Sequence, residues 1–248
     1  MSLDARRLEE LSLNSSAPPG QLLYDGWLLR LQPGKAKRAR SVNAVYPSTL
    51  PVADKVAYCE HLYAKVGLPA IFRITPFCQP PDLDAYLEQR GYGTFDFTAV
   101  ESARLERAPE GAEALAPVPL SRWVEAVGDL RGSSSEQRAG HFARLEGCPL
   151  ERRPVAVVER GAIVATGLSI VEDGAVGLFD IVTHEAHRRR GLARRIVASL
   201  LAQAWREGAR QAYLQVDRDN APARSLYSTL GFEEQYLYWY RGREGERR

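Results

Sequence analysis

The sequence is poor in cysteine and lysine and has no long apolar run. Its three cysteines, Cys59, Cys78 and Cys148, are widely spaced and form no CxxC pair. That usage suits neither a disulfide scaffold nor a thiolate zinc site, so no metal is expected and a reducing compartment fits. No stretch reaches the ~18 apolar residues of a membrane span. The opening residues MSLDARRLEELSLNSS hold no apolar segment that would serve as a secretory signal. These absences predict a cytoplasmic protein without a membrane partner. Charge of one sign is also missing: 33 basic residues face 31 acidic ones, a net +2. The chain as a whole is no polycation built for nucleic acid. Lysine occurs only at Lys35, Lys37, Lys55 and Lys65, so arginine supplies almost all the positive charge. Two phosphate-binding signatures, GxxxxGK[ST] and GxGxxG, are absent as well.

What remains is ordinary globular material. The 248 residues are 45% hydrophobic and 26% charged, enough to bury a sizeable core. At roughly 100–200 residues per domain the length allows one or two domains. The Pro/Ala/Glu-rich stretch from Arg107 to Pro119 reads as a linker or crossing strand. It divides the chain into residues 1–110 and 111–248.

Both parts follow one plan. In the first, strands are expected at Gly26–Leu31, Ser41–Val45, Ala70–Thr75 and Thr94–Leu105. Helices are expected at Pro51–Val66 and Pro81–Arg90, each followed by glycine. The second opens with helical material at Leu120–Leu130 and Ser135–Leu145. Strands then follow at Val155–Glu159, Ile163–Val171 and Val176–Thr183, with short hairpin turns between them. After Gly191 a helix runs to about Glu207 with Leu192, Ile196, Leu200 and Ala204 on one face. A strand at Ala212–Val216, a helix opened by Asn220 and Pro222, and an aromatic strand from Phe232 to Tyr240 complete it. Leu87–Tyr92 (LEQRGY) mirrors Tyr227–Phe232 (YSTLGF), which reads as divergent tandem duplication, with chance similarity of glycine-ended helices as the alternative.

The chemistry concentrates where the strand ending at Thr183 meets the long helix. Between His184 and Arg224 nine arginines stand against four acids, and a glycine-bearing basic turn precedes the helix. Free N–H groups and the positive end of a helix dipole attract phosphate there. An arginine run can equally be a solvated helix face.

Arg188-x-x-Gly191-x-Ala193 resembles the [RQ]xxGx[GA] signature of the GNAT superfamily of N-acetyltransferases. Downstream, Asn220-Ala-Pro-Ala-Arg-Ser-Leu-Tyr227-Ser-Thr-Leu-Gly231-Phe232 is similar to the family's second signature, N-x-x-A-x-x-L-Y-x-x-x-G-F. The resemblance spans Pro117 to Arg241, and the first half resembles the degenerate partner of tandem members. It implies an α/β (α+β) GNAT fold: a mixed, mostly antiparallel sheet with a splayed central strand pair, flanked by helices, in two tandem halves.

The same resemblance implies acetyl-CoA as co-substrate. Backbone groups of Ile181, Val182 and Thr183 would pair with the pantetheine arm. N–H groups of Arg188, Arg189, Arg190, Gly191, Leu192, Ala193 and Arg194 would cradle the pyrophosphate, with Ala193 in place of the more usual glycine. Asn220 would reach the pantetheine or the catalytic centre, or serve simply as a helix N-cap. Tyr227 corresponds to the tyrosine that protonates the departing thiolate, and by burial alone it also reads as a core residue. For removal of the amine's proton the first choice is Asp180, an aspartate unexpected inside the apolar strand Gly177–Val182, or else a structural hydrogen-bond acceptor. Glu185, His184 and Asp217 are the weaker choices.

The first half carries neither signature, and Leu87 stands where Tyr227 would be, so one active centre per chain is expected. Trp27, Arg30, Arg38, Asn43 and Tyr46 are candidates to line an acceptor pocket, or else scaffold. The acceptor, a small-molecule or peptide amine, is left open, as is the choice between monomer and homodimer. The competing reading is a non-catalytic acyl-CoA sensor. Nucleic-acid binding fares worst, because the aromatics gather in the closing strand and not among the arginines.

Overall fold

A computed structural model describes residues 4–245. In chain order the elements are α1 (Ala5–Ser15), β1 (Gln21–Tyr24), β2 (Trp27–Arg30), β3 (Val42–Ala44), α2 (Val52–Lys65), β4 (Phe72–Ile74), α3 (Leu83–Gln89) and β5 (Gly93–Arg104). They continue as α4 (Leu120–Arg131), α5 (Ser135–Glu146), β6 (Glu151–Glu159), β7 (Ala162–Glu172), β8 (Ala175–Thr183), α6 (Leu192–Arg206), β9 (Gln211–Asp217), α7 (Ala221–Ser228) and β10 (Glu233–Gly242). Short 3₁₀ turns lie at Lys37–Ala39 and Glu185–His187.

Every strand and helix expected from the sequence is present, and two more were not foreseen. Helix α1 buries Leu8, Leu11, Ser12 and Ser15, an i, i+3, i+4, i+7 stripe half made of serines that an apolar pattern misses. Strand β1 is mostly exposed and lacks the alternation that marks a half-buried strand.

The chain forms two compact units that are not continuous in sequence. The larger takes residues up to 15, 100–216 and 220–235; the smaller takes 16–99, 217–219 and 236 onward.

In the smaller unit β1, β2 and β3 form an antiparallel meander, and β3 runs parallel to β4. Helix α2 supplies the crossover that a parallel pair requires. β10 pairs antiparallel with β4 through Trp239, Tyr240 and Arg241. One sheet face carries Trp27, Leu29, Val42, Phe72 and Ile74 into a core closed by Val56, Cys59, Tyr63, Leu83 and Leu87. Trp27 is a core residue here: its indole donates to the Gln79 carbonyl at 2.7 Å and the buried Lys55 ammonium lies 4.1 Å from its ring centre. Arg30 and Asn43 are likewise buried, Arg30 donating to Ser16 and to the Arg38 carbonyl, whereas Tyr46 is half exposed. Trp27, Arg30 and Asn43 thus hold the scaffold, because each is buried and donates to a main-chain carbonyl inside it, Asn43 Nδ2 to that of Ser41 at 2.9 Å.

The larger unit repeats the plan. β6, β7 and β8 form an antiparallel meander, and β9 lies parallel to β8 with α6 as the crossover. The two hairpins turn on Arg160-Gly161 and Asp173-Gly174, all four residues at positive φ, as two-residue turns matched to strand twist demand. Helix α6 buries Leu192, Ile196, Val197, Leu200, Leu201 and Ala204, the face read from the sequence. Helix α1 belongs to this unit, where the Tyr213 hydroxyl donates to the Leu11 carbonyl at 3.1 Å and meets Ser15 Oγ at 2.8 Å.

Candidate active site

The parallel pairing of β8 with β9 runs only from Ala175 opposite Gln211 to Leu178 opposite Leu214. Beyond Leu178 the two strands part, so the β9-facing edge of residues 179–183 has no ladder. On its other edge β8 stays paired to β7, but the register slips between Thr166 and Leu168. There Asp180 and Ile181 together oppose Gly167, a β-bulge. Asp180 takes the left-handed φ of 47°, a conformation tolerated better by Asp than by most residues. Thr166 Oγ1 donates to the Asp180 carbonyl at 3.2 Å and pins the bulge. Gly167 is required opposite it: a Cβ there would overlap Ile196 Cγ2 and sit 2.9 Å from Ile181 Cδ1.

The bulge turns the Asp180 side chain toward α4 and α5. Its Oδ1 lies 2.9 Å from Arg131 Nη2 and its Oδ2 lies 3.2 Å from His141 Nε2. Burial would raise the carboxyl's pKa, but Arg131, His141 and Arg144 outweigh it and hold the group well below the usual carboxylate range. Helix α4 closes on Gly132 in the left-handed conformation, and α5 opens with a capping box of Ser134 and Gln137. Arg138 joins the two helices, donating to Glu125 and Asp129 at 2.9 Å each, and glycine at 128 leaves room for its side chain. Neither Arg131 nor His141 was a candidate from the sequence. A lone His on an amphipathic helix carries no spacing signal, and the salt bridge joins residues 49 and 39 positions apart by number.

Past β8 the chain makes the Glu185–His187 turn and then enters α6 through Arg189 at φ 58° and Gly191 at φ 76°. The first helical hydrogen bond of α6 is Arg195 N–H to the Gly191 carbonyl. The N–H groups of Arg189, Arg190, Gly191, Leu192, Ala193 and Arg194 have no partner among the described residues. The Arg188 N–H is different, being taken by the Glu185 carbonyl at 3.2 Å. Six successive free donors at the start of a fifteen-residue helix are an arrangement that attracts anions. The side chains around it are less available than the arginine count suggests. Arg190 is held by Glu159 at 2.9 Å and Arg194 donates to Thr229 at 3.0 Å, while Arg188 and Arg189 stand exposed. Ile181 and Val182 lie half-buried on the open edge, and Thr183 Oγ1 beside them is buried without a hydrogen-bond partner.

Asn220 caps α7, its Oδ1 accepting from the Ala223 N–H at 3.3 Å. Two turns on, Tyr227 is buried with its ring 5.9 Å from that of Phe232. Its hydroxyl makes no hydrogen bond among the described residues. Burial, reinforced by the Glu101 carboxylate, pushes the phenol's pKa up to about 12. The phenol therefore keeps its proton at neutral pH. Glu101, on β5, is itself buried and accepts from Arg224 Nε at 2.9 Å; its place in this neighbourhood was invisible from the sequence. The weaker candidates serve their own turns: His184 Nδ1 accepts from the Ala186 N–H, Glu185 is exposed, and Asp217 accepts from the Asp219 N–H. Among the described residues no cluster of His, Cys, Asp and Glu has the form of a metal site, and no helix is long and apolar enough to cross a membrane.

A family profile described as "Probable histone acetyltransferase Rv0428c C-terminal" matches residues 3–241. The "Uncharacterized N-acetyltransferase YobR" of Bacillus subtilis (strain 168) is 30% identical over 246 residues, 96% of this chain and 98% of that protein. Ribosomal protein bS18-alanine N-acetyltransferase of Escherichia coli (strain K12) is 30% identical over 78 residues, 32% of this chain and 53% of its own. In fold, the chain is similar to a GCN5-related N-acetyltransferase from Kribbella flavida, with TM-score 0.68, 19% identity, and 99% and 97% of the two chains covered. A tandem GNAT protein from the clavulanic acid biosynthesis pathway aligns with TM-score 0.57 and 16% identity, covering 81% of this chain and 74% of that one.

Proposed function

From the premise that this chain belongs to the GNAT family of N-acetyltransferases, we propose that it moves an acetyl group from acetyl-CoA to a primary amine by direct attack, without an acyl-enzyme. The observation that carries the reading is the run of six free backbone N–H groups from Arg189 to Arg194. Such a row binds a pyrophosphate through the main chain, so it does not depend on which side chains flank it. Two further features support it. The open edge of β8 at Ile181, Val182 and Thr183 offers unpaired main-chain groups to an amide-bearing arm, and the orphaned Thr183 hydroxyl beside them lacks a partner that such an arm would provide.

In this reading acetyl-CoA supplies the thioester, and the protein's residues position it and manage protons. Asn220 keeps its cap while its side-chain N–H₂ stays available to the arm. Tyr227 gives its proton to sulfur as the C–S bond breaks, which a neutral phenol with an unengaged hydroxyl can do. Asp180 belongs to the half of the reaction that relieves the incoming ammonium of its proton. The three cysteines are free and buried, which leaves them poorly placed as acyl carriers and suits a cytoplasmic setting. The acceptor is a small-molecule or peptide amine.

Isothermal titration of the purified protein with acetyl-CoA and with CoA tests the reading. Saturable binding of both is expected, followed by thiol release with at least one member of an amine panel. No binding would end the proposal; binding without turnover on any amine would favour the sensor.

A further inference from the structure

We propose that His141 is the group that accepts the proton of the incoming amine, and that Asp180 positions it. The inference rests on the transferase reading above and assigns one of its proton steps to a residue.

Oδ1 of Asp180 is engaged by the Arg131 guanidinium at 2.9 Å, and Oδ2 lies 3.2 Å from His141 Nε2. A carboxylate so occupied, and held below its usual range by those neighbours, is a weak proton acceptor at neutral pH. The imidazole beside it is the side-chain type whose protonation changes between about pH 5 and 8. Nε2 faces the carboxylate at 3.2 Å without an aligned hydrogen bond, so the pair is held by proximity and charge, and Nδ1 is the nitrogen left to receive a proton. The ring is also held in place. It stands edge-on to Trp123 at 5.8 Å, and Trp123 is fully buried with its indole N–H donating to the Val155 carbonyl at 3.0 Å. The cations acting on the pair are Arg131 from α4 and Arg144 from α5, and Asp180 on β8 is the anion beside the ring that can stabilise an imidazolium. This is the division of labour in which a buried carboxylate orients an imidazole and offsets its charge without itself taking the proton.

The proton count closes. The ammonium's first proton passes to His141 Nδ1 and from there to solvent, freeing the nitrogen lone pair. That pair forms the C–N bond as the C–S bond breaks. The second proton released by the nitrogen balances the one Tyr227 delivers to the thiolate.

Two measurements decide the matter. With an amine that the wild type acetylates, Asp180→Asn should lower kcat/KM about tenfold or more, and adding it to His141→Gln should cost little further, because the two act as one unit. Losses that multiply in the double variant overturn the pairing. With the same amine, His141→Gln should lose the ascending limb of the kcat/KM–pH profile and roughly 10²–10⁴-fold in kcat/KM. Acetyl-CoA affinity should stay unchanged, and added imidazole should restore part of the rate to His141→Ala. A variant that keeps the limb overturns the assignment to His141. A wild-type protein that fails to bind acetyl-CoA instead overturns the transferase reading, which the same calorimetry reports separately.

Discussion

Arg224 Nε donates to Glu101 Oε1 at 2.9 Å, and the same guanidinium reaches Glu234 Oε2 at 2.8 Å. Glu101 is 3% exposed, and its second oxygen is buried without a hydrogen-bond partner. Arg224→Met would remove the cation that faces that carboxylate. Because the Arg224 side chain is 32% exposed, losing it should cost about 1–3 kcal/mol, and the urea midpoint should drop accordingly. Glu101→Gln, which removes the charge and keeps the shape, should cost much less. Equal losses in the two variants would show that packing, not charge, is what Arg224 provides.

Tyr227→Phe isolates the hydroxyl from the ring. Phenylalanine keeps the contact with Phe232 and removes a group that has no hydrogen bond to lose, so stability should change by less than about 1 kcal/mol. Turnover should fall roughly 10²-fold or more while acetyl-CoA affinity holds. Unchanged turnover would remove Tyr227 from the mechanism and return it to the core.

How much of this was legible in the sequence divides along a physical line. Local features were: Gly191 before a helix with Leu192, Ile196 and Leu200 on one face, Asn220 as an N-cap, and Arg160-Gly161 as a hairpin turn each depend on residues a few positions apart. The turn and the second signature were legible for the same reason. What could not be read was long-range or conformational. His141 meets Asp180 only because the bulge shifts one residue out of register, and no residue type announces a bulge when the glycine that permits it, Gly167, sits on the neighbouring strand. Helix α1 was missed because its buried stripe includes Ser12 and Ser15, whose hydroxyl-bearing side chains read as surface. The buried Trp27 and Arg30 look like site residues by type, and only their partners, Gln79, Ser16 and Arg38, reveal scaffold.

Gly167→Ala tests that bulge. The added methyl would overlap Ile196 Cγ2 on α6 and crowd Ile181, forcing helix and strand apart at the site. Overpacking of this kind costs about 1–3 kcal/mol. Ile196→Ala in the same chain removes the overlapping carbon, so the double variant should be less destabilised than the sum of the two single ones. Strict additivity in denaturation would mean that the bulge relaxes by another route.

At Gly191 nothing lies near enough to clash with a side chain, so any effect of substitution comes from φ 76° alone. A left-handed residue other than glycine costs about 1–2 kcal/mol. Gly191→Ala should meet that cost by rotating the peptide and misaiming the N–H cradle. Acetyl-CoA affinity should fall about tenfold, the equivalent of ~1.4 kcal/mol, with the thermal midpoint little changed. Full affinity would argue that the cradle does not grip the nucleotide.

The pH dependence of stability reports the Asp180 carboxylate, and the sign follows from the direction of its shift. Its pKa is depressed in the folded chain, against burial, by Arg131, His141 and Arg144. Such a group contributes stability that is fully present above the unfolded carboxylate pKa, about 3.9, and that is lost as pH falls through the lower folded value. His141 lies against the same carboxylate, so both chains should carry His141→Gln, one with Asp180 and one with Asp180→Asn. The difference in unfolding free energy between them should be flat from pH 8 to pH 5, because Arg131 stays charged throughout. It should shrink only below about pH 4, as protons begin to compete with the guanidinium for Oδ1. A difference that already slopes between pH 5 and pH 7 would mean the carboxylate is not held by Arg131, and the bulge would then be aiming Asp180 somewhere else.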